Sequence, residues 1–327
     1  MKILYRSCHQ ILEYDEIRML QKLGHTVFPL GAYTYGRPSE AFRPEIDFGW
    51  EFYALLEKYK ASPSSRDIRY IDREFASNFD VCISMFDFNF LTENEDALHS
   101  LPCVLRTIGQ SIEAYEPLVA KLKSSGTYIV RYSPAEARAA NYAGHDAIIR
   151  FPKEVTGNSW LGDADYVLTF SNDFRQRYEA DYQFFVAATR DRPTRLAGRG
   201  NETCHKWIGL ISAEQQQKEL RSCRTYFYCT GGYIPYTLNI MEAMLAGAPI
   251  VAVRPTSAEP FSEIQDILSQ SAIFVESSEE AGEALRYLSE NTEAARSLSA
   301  KAFHRGKMLF DDRQIGDQWD KLLAGIV

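Results

Sequence analysis

The sequence predicts an α/β protein of two doubly wound, largely parallel sheets, and three observations carry that expectation. Apolar, β-branched runs alternate with amphipathic helical stretches through both halves of the chain, the order of a parallel sheet with helical crossovers. The 327 residues exceed what one core usually fills and suggest two domains. Finally, Pro235 to Val253 reads as a polar loop, a helix bearing one acid (Glu242) and a buried strand. Thr237 or Asn239 can cap that helix, Gly247 ends it, Pro249 opens the next element, and Ile250-Val251-Ala252-Val253 suits a strand covered on both faces.

In the first half, strands are expected at Ile3 to Tyr5, Thr26 to Leu30, Val81 to Met85, Val104 to Ile108, Thr127 to Arg131 and Ala147 to Phe151. The helix between the first two, Tyr14 to Leu23, carries Ile17, Leu20 and Leu23 on one stripe and stops at Gly24. Ser133 caps a further helical turn with Pro134 at its first position. Pro152 to Asp163, containing Gly157 and Gly162, is the expected linker, so that residues 1–155 form the first domain.

The second domain, 163–310, is expected to run from strand Tyr166 to Phe170 through helix Phe174 to Ala188, strand Thr194 to Ala197 and strand Trp207 to Leu210. It continues with helix Ala213 to Ser222, strand Tyr226 to Cys229, the Glu242 helix and strands Ile250 to Val253 and Ala272 to Val275. The last segment, 311–327, places Ile315, Trp319, Leu322 and Leu323 at helical spacing.

Composition narrows the class. A formal charge of −8 argues against nonspecific adhesion to nucleic acid or anionic lipid. Six cysteines show no Cys-x-x-Cys spacing, and most sit in strand-like contexts such as Val81-Cys82-Ile83, as reduced core thiols do. Met1 to Arg6 reads as a first strand instead of a signal peptide, and no apolar run approaches the ~20 residues of a membrane helix, so a cytoplasmic location is expected.

The Pro235 to Val253 segment resembles the donor signature of retaining GT-B glycosyltransferases, in which a glutamate and seven intervening residues precede Glu-Ala-Met-x-x-Gly-x-Pro. Glu242 matches the second acid, whereas Ile234 stands where the first would be. The likeness covers residues 160 to 310 by order of elements and the first half by topology; Gly24-His25-Thr26-Val27 is similar to a turn common in the family's first βαβ. It implies a GT-B enzyme, two Rossmann-like domains with a last helix crossing back to the first. Such an enzyme moves a sugar from a nucleoside-diphosphate sugar to an acceptor hydroxyl, with the donor between the domains and domain closure excluding water. The glycine pair that many relatives carry after the first strand is absent from Ser7-Cys8-His9-Gln10.

On that resemblance Glu242 binds the ribose hydroxyls, since a carboxylate accepts two hydrogen bonds. Ile234 leaves the sugar's identity open. A leaving diphosphate handled without a metal needs cations and backbone amides, so Asn172 and Arg177, with Arg175 as neighbouring candidate, and the amides of Tyr236, Thr237 and Leu238 become donor ligands. The turn Gly231-Gly232-Tyr233 permits close approach, and Gly198 and Gly200, in Gly198 to Glu202, sit where the family delivers a loop to the base. A solvated helix face accounts equally well for either arginine. No metal or cofactor is expected; Asp163-Ala164-Asp165 has the letters of a metal motif but precedes a strand.

Relatives often carry a histidine after the fourth strand, where this chain has Leu105 to Ser111, so Arg106 and Gln110 become the catalytic candidates with His9 in the first strand-to-helix loop; His145 follows. A strand-end arginine paired with an acid is the plain alternative for Arg106. The aromatics Tyr33, Tyr35, Phe42, Phe48, Trp50, Phe52 and Tyr53, with Arg37 and Arg43, suit stacking and phosphate contacts, which keeps DNA open as an acceptor beside a small molecule, glycan or lipid. Core packing of a Trp50 to Leu56 helix explains half of them. A sugar-nucleotide epimerase of the same fold and a noncatalytic nucleotide-sugar binder are the competing readings. The missing Gly-x-Gly-x-x-Gly after the first strand disfavours a dehydrogenase.

Overall fold

The computed structural model describes residues 1–31, 43–110, 112–155, 160–230 and 234–327, with Gln10 by its backbone alone. Tyr33, Tyr35, Arg37, Phe42, Ser111, Gly157, Gly231, Gly232 and Tyr233 fall outside them. The chain forms two units: Met1–Glu154 together with Asp312–Val327, and Val155–Asp311.

In the first unit six strands, β1 (Lys2–Ser7), β2 (Thr26–Leu30), β3 (Val81–Met85), β4 (Cys103–Arg106), β5 (Tyr128–Arg131) and β6 (Ala147–Ile148), make one parallel sheet in the order β2-β1-β3-β4-β5-β6. β3 is buried along its whole length, as its unbroken apolar run requires when helices cover both faces. Pro29 is tolerated in β2 because β2 is an edge strand. Phe28 is the hub of one core layer, its ring 5.3 Å from Phe75, 5.6 Å from Phe52 and 5.6 Å from Tyr59. The Gly49–Ala61 helix buries Phe52, Leu55 and Tyr59 by their spacing and turns Trp50 (78% exposed) and Tyr53 to solvent.

The Asp312–Ile326 helix completes this unit. It buries Ile315, Trp319 and Leu323, and Gly316 admits the Leu23 side chain, which a Cβ would meet at 3.2 Å. Lys22 Nζ reaches Asp312 at 2.6 Å and His25 Nε2 lies 3.1 Å from Asp320, so this helix packs on the Gln10–Lys22 helix.

The second unit has β7 (Ala164–Phe170), β8 (Thr194–Ala197), β9 (Cys223–Tyr228), β10 (Ile250–Val253) and β11 (Ala272–Val275), parallel and ordered β11-β10-β9-β7-β8. Its core includes Phe174, Phe185, Leu196, Phe227, Val251 and Leu285; helix Ser278–Glu290 packs on Glu179–Ala188 and helix Thr292–Phe310 on Leu238–Ala246. Both units are thus doubly wound α/β sheets.

Four elements depart from expectation for identifiable reasons. The first helix starts at Gln10, because His9 Nδ1 accepts the Leu12 amide at 3.4 Å and caps it. The Phe174–Ala188 helix is two, Phe174–Arg177 and Glu179–Ala188, broken at Tyr178 (φ −142°, ψ 59°). No strand forms over Trp207 to Leu210: positive φ at Lys206 (66°) and Gly209 (105°) bends the chain, leaving one bridge from Trp207 to Leu196. β6 ends at Ile148, one residue before the Ile149 carbonyl that accepts from Arg106 Nη1 at 2.5 Å.

Candidate functional site

In an open doubly wound sheet, ligands collect outside the carboxyl ends of the strands where the strand order reverses. In the second unit the chain steps from β7 outward to β8 and returns to the other side of β7 for β9, so that point lies between β7 and β9. The turns after β7 and β8 are joined there by hydrogen bonds. The Arg199 amide donates to Asn172 Oδ1 at 3.0 Å, the Asp173 amide to the Arg199 carbonyl at 2.8 Å, and Asn201 Nδ2 to the Ser171 carbonyl at 2.7 Å. Asn201 Oδ1 accepts the Phe174 amide at 2.8 Å, so this fully buried asparagine pins both turns.

Two glycines make the fit possible. A Cβ on Gly198 (φ +133°) would lie 2.0 Å from the Ser171 carbonyl oxygen, and one on Gly200 (φ +70°) 2.0 Å from Asp173 Oδ1. Gly198, Gly200 and Asn172 therefore meet in one platform. The signal for Asn201 was present in the sequence as a polar residue after two glycines.

The Leu238–Ala246 helix starts beside this platform, because Asn239 Nδ2 donates to the Phe170 carbonyl, the last residue of β7, at 3.2 Å. Thr237 is its N-cap residue, yet neither candidate hydroxyl nor amide caps it: Thr237 makes no side-chain cap bond and Asn239 turns to β7. The first amides of the helix, from Leu238 onward, consequently point along the axis without a side-chain acceptor. Tyr236 is buried against Phe310, ring centroids 5.5 Å apart, which fixes the approach to the helix. Glu242, one turn further, is 5% exposed and accepts from Gln216 Nε2 at 2.5 Å.

Arg175 and Arg177 are exposed and turn to neighbours: Arg175 pairs with Glu179 at 3.3 Å, and the Arg177 guanidinium sits over the Tyr178 ring. Asp165 accepts from the Ser289 hydroxyl at 2.6 Å. At the carboxyl ends of β9 and β10 a cavity of about 360 Å³ is lined by Tyr228, Thr230, Ile234, Arg254 and Glu259 among others. Ile234 gives that wall an apolar side chain.

In the first unit the reversal falls between β1 and β3. Arg6 on β1 bridges the strand ends, its Nε 2.8 Å from Asp87. His9 stands at the end of β1, its own amide donating to Ser7 Oγ at 3.1 Å; burial holds its pKa below the ordinary value, which suits the neutral ring that accepts from Leu12. Glu13 went unremarked in the sequence. It is 1% exposed, Oε1 has no hydrogen-bond partner, and burial lifts its pKa to about 7 against the pull of Ser7 and Arg6.

Arg106 corrects an expectation. It is fully buried, with Nε 3.1 Å from Glu16, Nη1 on the Ile149 carbonyl and its guanidinium 4.1 Å from the Phe151 ring centroid; it lies inside the unit instead of lining a crevice. Gln110 is exposed, following Gly109, whose φ of +68° lets the Tyr132 ring close in. His145 bonds the Tyr142 hydroxyl at 2.7 Å. Arg43 is buried beside Asp15.

No family model and no curated protein sequence matches the chain. Solved structures do match in fold. The Anabaena protein Alr3699/HepE, crystallised with UDP-glucose, aligns with a TM-score of 0.69 at 14% identity over 99% of this chain and 100% of that one. Sucrose-phosphate synthase from Thermosynechococcus elongatus gives 0.69 at 12%, covering 99% and 98%. The calicheamicin glycosyltransferase CalG4 gives 0.51 at 14%, covering 99% and 98%. The chain has the GT-B fold. Among the described residues, no helix is long and apolar enough to cross a membrane.

Proposed function

We propose that this protein is a glycosyltransferase that moves a sugar from a nucleoside-diphosphate sugar to an acceptor hydroxyl, with retention at the anomeric carbon and without a metal ion. The observation that carries the reading is the bond from Asn239 to the end of β7, which sets the Glu242 helix at the reversal point of the second sheet beside the Gly198–Gly200 platform. One matching protein, Alr3699/HepE, was crystallised both with UDP-glucose and with UDP, which makes a uridine diphosphate sugar the first donor to try.

In this scheme the Glu242 carboxylate accepts from both ribose hydroxyls, replacing Gln216 as one of its partners. The Gly198 to Glu202 turn backs the base, where backbone can approach because no Cβ intervenes. As the glycosidic bond breaks, negative charge grows on the distal phosphate. The uncapped amides at Leu238 and the helix dipole meet it, with Arg177 or Arg175 released from its surface partner to add a cation. The crevice at the end of β1, with His9 and Glu13, is the acceptor side. The acceptor is proposed to be a small molecule, a glycan or a lipid headgroup.

The apolar Ile234 favours one second reading, a nucleotide-sugar binder without turnover. A thermal-shift screen of nucleoside diphosphates and their sugar conjugates, with and without chelator, tests both. A chelator-insensitive rise for one nucleotide supports the site by mass action. No rise for any of them removes the proposal, and a rise with an unaltered donor across an acceptor panel selects the binder.

A further inference from the structure

We propose that Cys82 and Cys103 form a paired dithiol that hydroperoxides convert to an intrachain disulfide through the cavity beside β4. The two residues are direct partners across the neighbouring parallel strands β3 and β4. Partnered Cα atoms in a sheet lie about 4.8 Å apart, inside the roughly 4.4–6.8 Å that a disulfide spans. Both side chains lie against the same hydrophobic cluster, so they occupy one face of the sheet.

Their surroundings differ in a way that assigns roles. Cys82 is completely buried, whereas Cys103 is half-buried and lines a cavity of about 390 Å³ with His99, Lys121 and Thr127. The cavity admits a small peroxide to Cys103 and not to Cys82. Hydrogen bonding from the Cys82 thiol pulls the Cys103 thiol below its ordinary pKa, and the same contact together with burial pushes Cys82 well up. Cys103 is therefore the attacking sulfur and Cys82 the resolving one. Elsewhere, Cys8 is exposed as a residue, but crowding around its sulfur, with the Asp87 carboxylate, holds the thiol up to about 11, and Cys223 and Cys229 are buried and raised further.

The chemistry balances in two steps. The Cys103 thiolate attacks the peroxide, forming S–O and breaking O–O, and the departing alkoxide or hydroxide takes up the proton that the Cys103 thiol released and leaves as alcohol or water. The Cys82 sulfur then attacks the sulfenic acid, forming S–S and breaking S–O, and hydroxide departs with the Cys82 proton as water.

The test uses the native chain. After one equivalent of hydrogen peroxide and blocking with iodoacetamide, nonreducing digestion should yield the Cys82 peptide joined to the Cys103 peptide, separable by dithiothreitol. Untreated protein should retain one equivalent of phenylarsine oxide, which takes two thiols and releases water, and Cys103→Ser should lose that retention. A stable dimedone adduct on Cys103 of the wild-type protein with no linked peptide overturns the pairing, as does oxidation of Cys8 ahead of Cys103.

Discussion

Asn239 Nδ2 donates to the Phe170 carbonyl at 3.2 Å, and this bond ties the start of the Glu242 helix to the last residue of β7. Asn239→Ala removes the tie while leaving Glu242 in place. The expected result is nucleoside-diphosphate affinity weaker by about tenfold, one net hydrogen bond, against a stability loss of about 1 kcal/mol. Glu242→Gln should cost more, about 100-fold, because a carboxylate that accepts two hydroxyls becomes an amide that accepts fewer. Isothermal titration on both variants checks the order; equal affinities for Glu242→Gln and wild type would remove the ribose assignment.

Gly198→Ala probes the platform. The substituted Cβ meets the Ser171 oxygen at 2.0 Å, so the two turns must separate. Gly209 (φ +105°) has nothing within 4 Å of the same atom and serves as control for backbone strain alone. Both variants should lose about 1–3 kcal/mol from the strained φ, with Gly198→Ala losing more and also losing nucleotide affinity. Urea unfolding with titration separates the two.

Glu13 should give the stability a measurable pH dependence. Its pKa is about 7 folded and near 4.5 unfolded, so between those values the folded chain holds the extra proton. Stability from this group is then full below pH 4.5, falls as pH rises toward 7, and is lower by about 3 kcal/mol beyond it. Glu13→Gln keeps the neutral form at every pH. Relative to wild type it should gain about that amount between pH 5 and pH 8 in urea titrations; an unchanged difference would show a carboxylate at ordinary pKa.

Arg106 is expected to act on stability and not on chemistry. Arg106→Met strands Glu16, which keeps only the Tyr5 hydroxyl at 2.5 Å, at a cost of about 3–5 kcal/mol. Arg106→Met with Glu16→Gln should recover most of it. Turnover per folded molecule should match wild type in the double variant, whereas a transition-state role would lower kcat in both.

What the sequence disclosed follows the reach of its signals. Buried β-branched runs such as Val81 to Met85 and Ile250 to Val253 became strands because covering both faces demands such composition. Gly198 and Gly200 were legible as glycines, but their purpose depended on the carbonyl and carboxylate of a turn some 27 residues earlier. Arg106 was misplaced for the same reason: its position at a strand end is local, while Glu16, its partner, lies 90 residues away. Glu13 lies just ahead of the expected Tyr14 to Leu23 helix and drew no reading, because only the packing around it isolates the carboxyl. The Phe174–Ala188 pattern is helical throughout, and its break at Tyr178 was not marked by glycine or proline.

The packing of Gly316 against Leu23 bears on the order in which the chain can mature during synthesis. Residues 155–311 are contiguous and can complete their own core as soon as they emerge. The first unit cannot, since Trp319, fully buried within it and 5.7 Å from the Arg106 guanidinium, is translated after the whole of the second. The earlier-made part is thus the later to finish, and a chain cut before residue 312 keeps a complete second unit joined to a first one with an open flank.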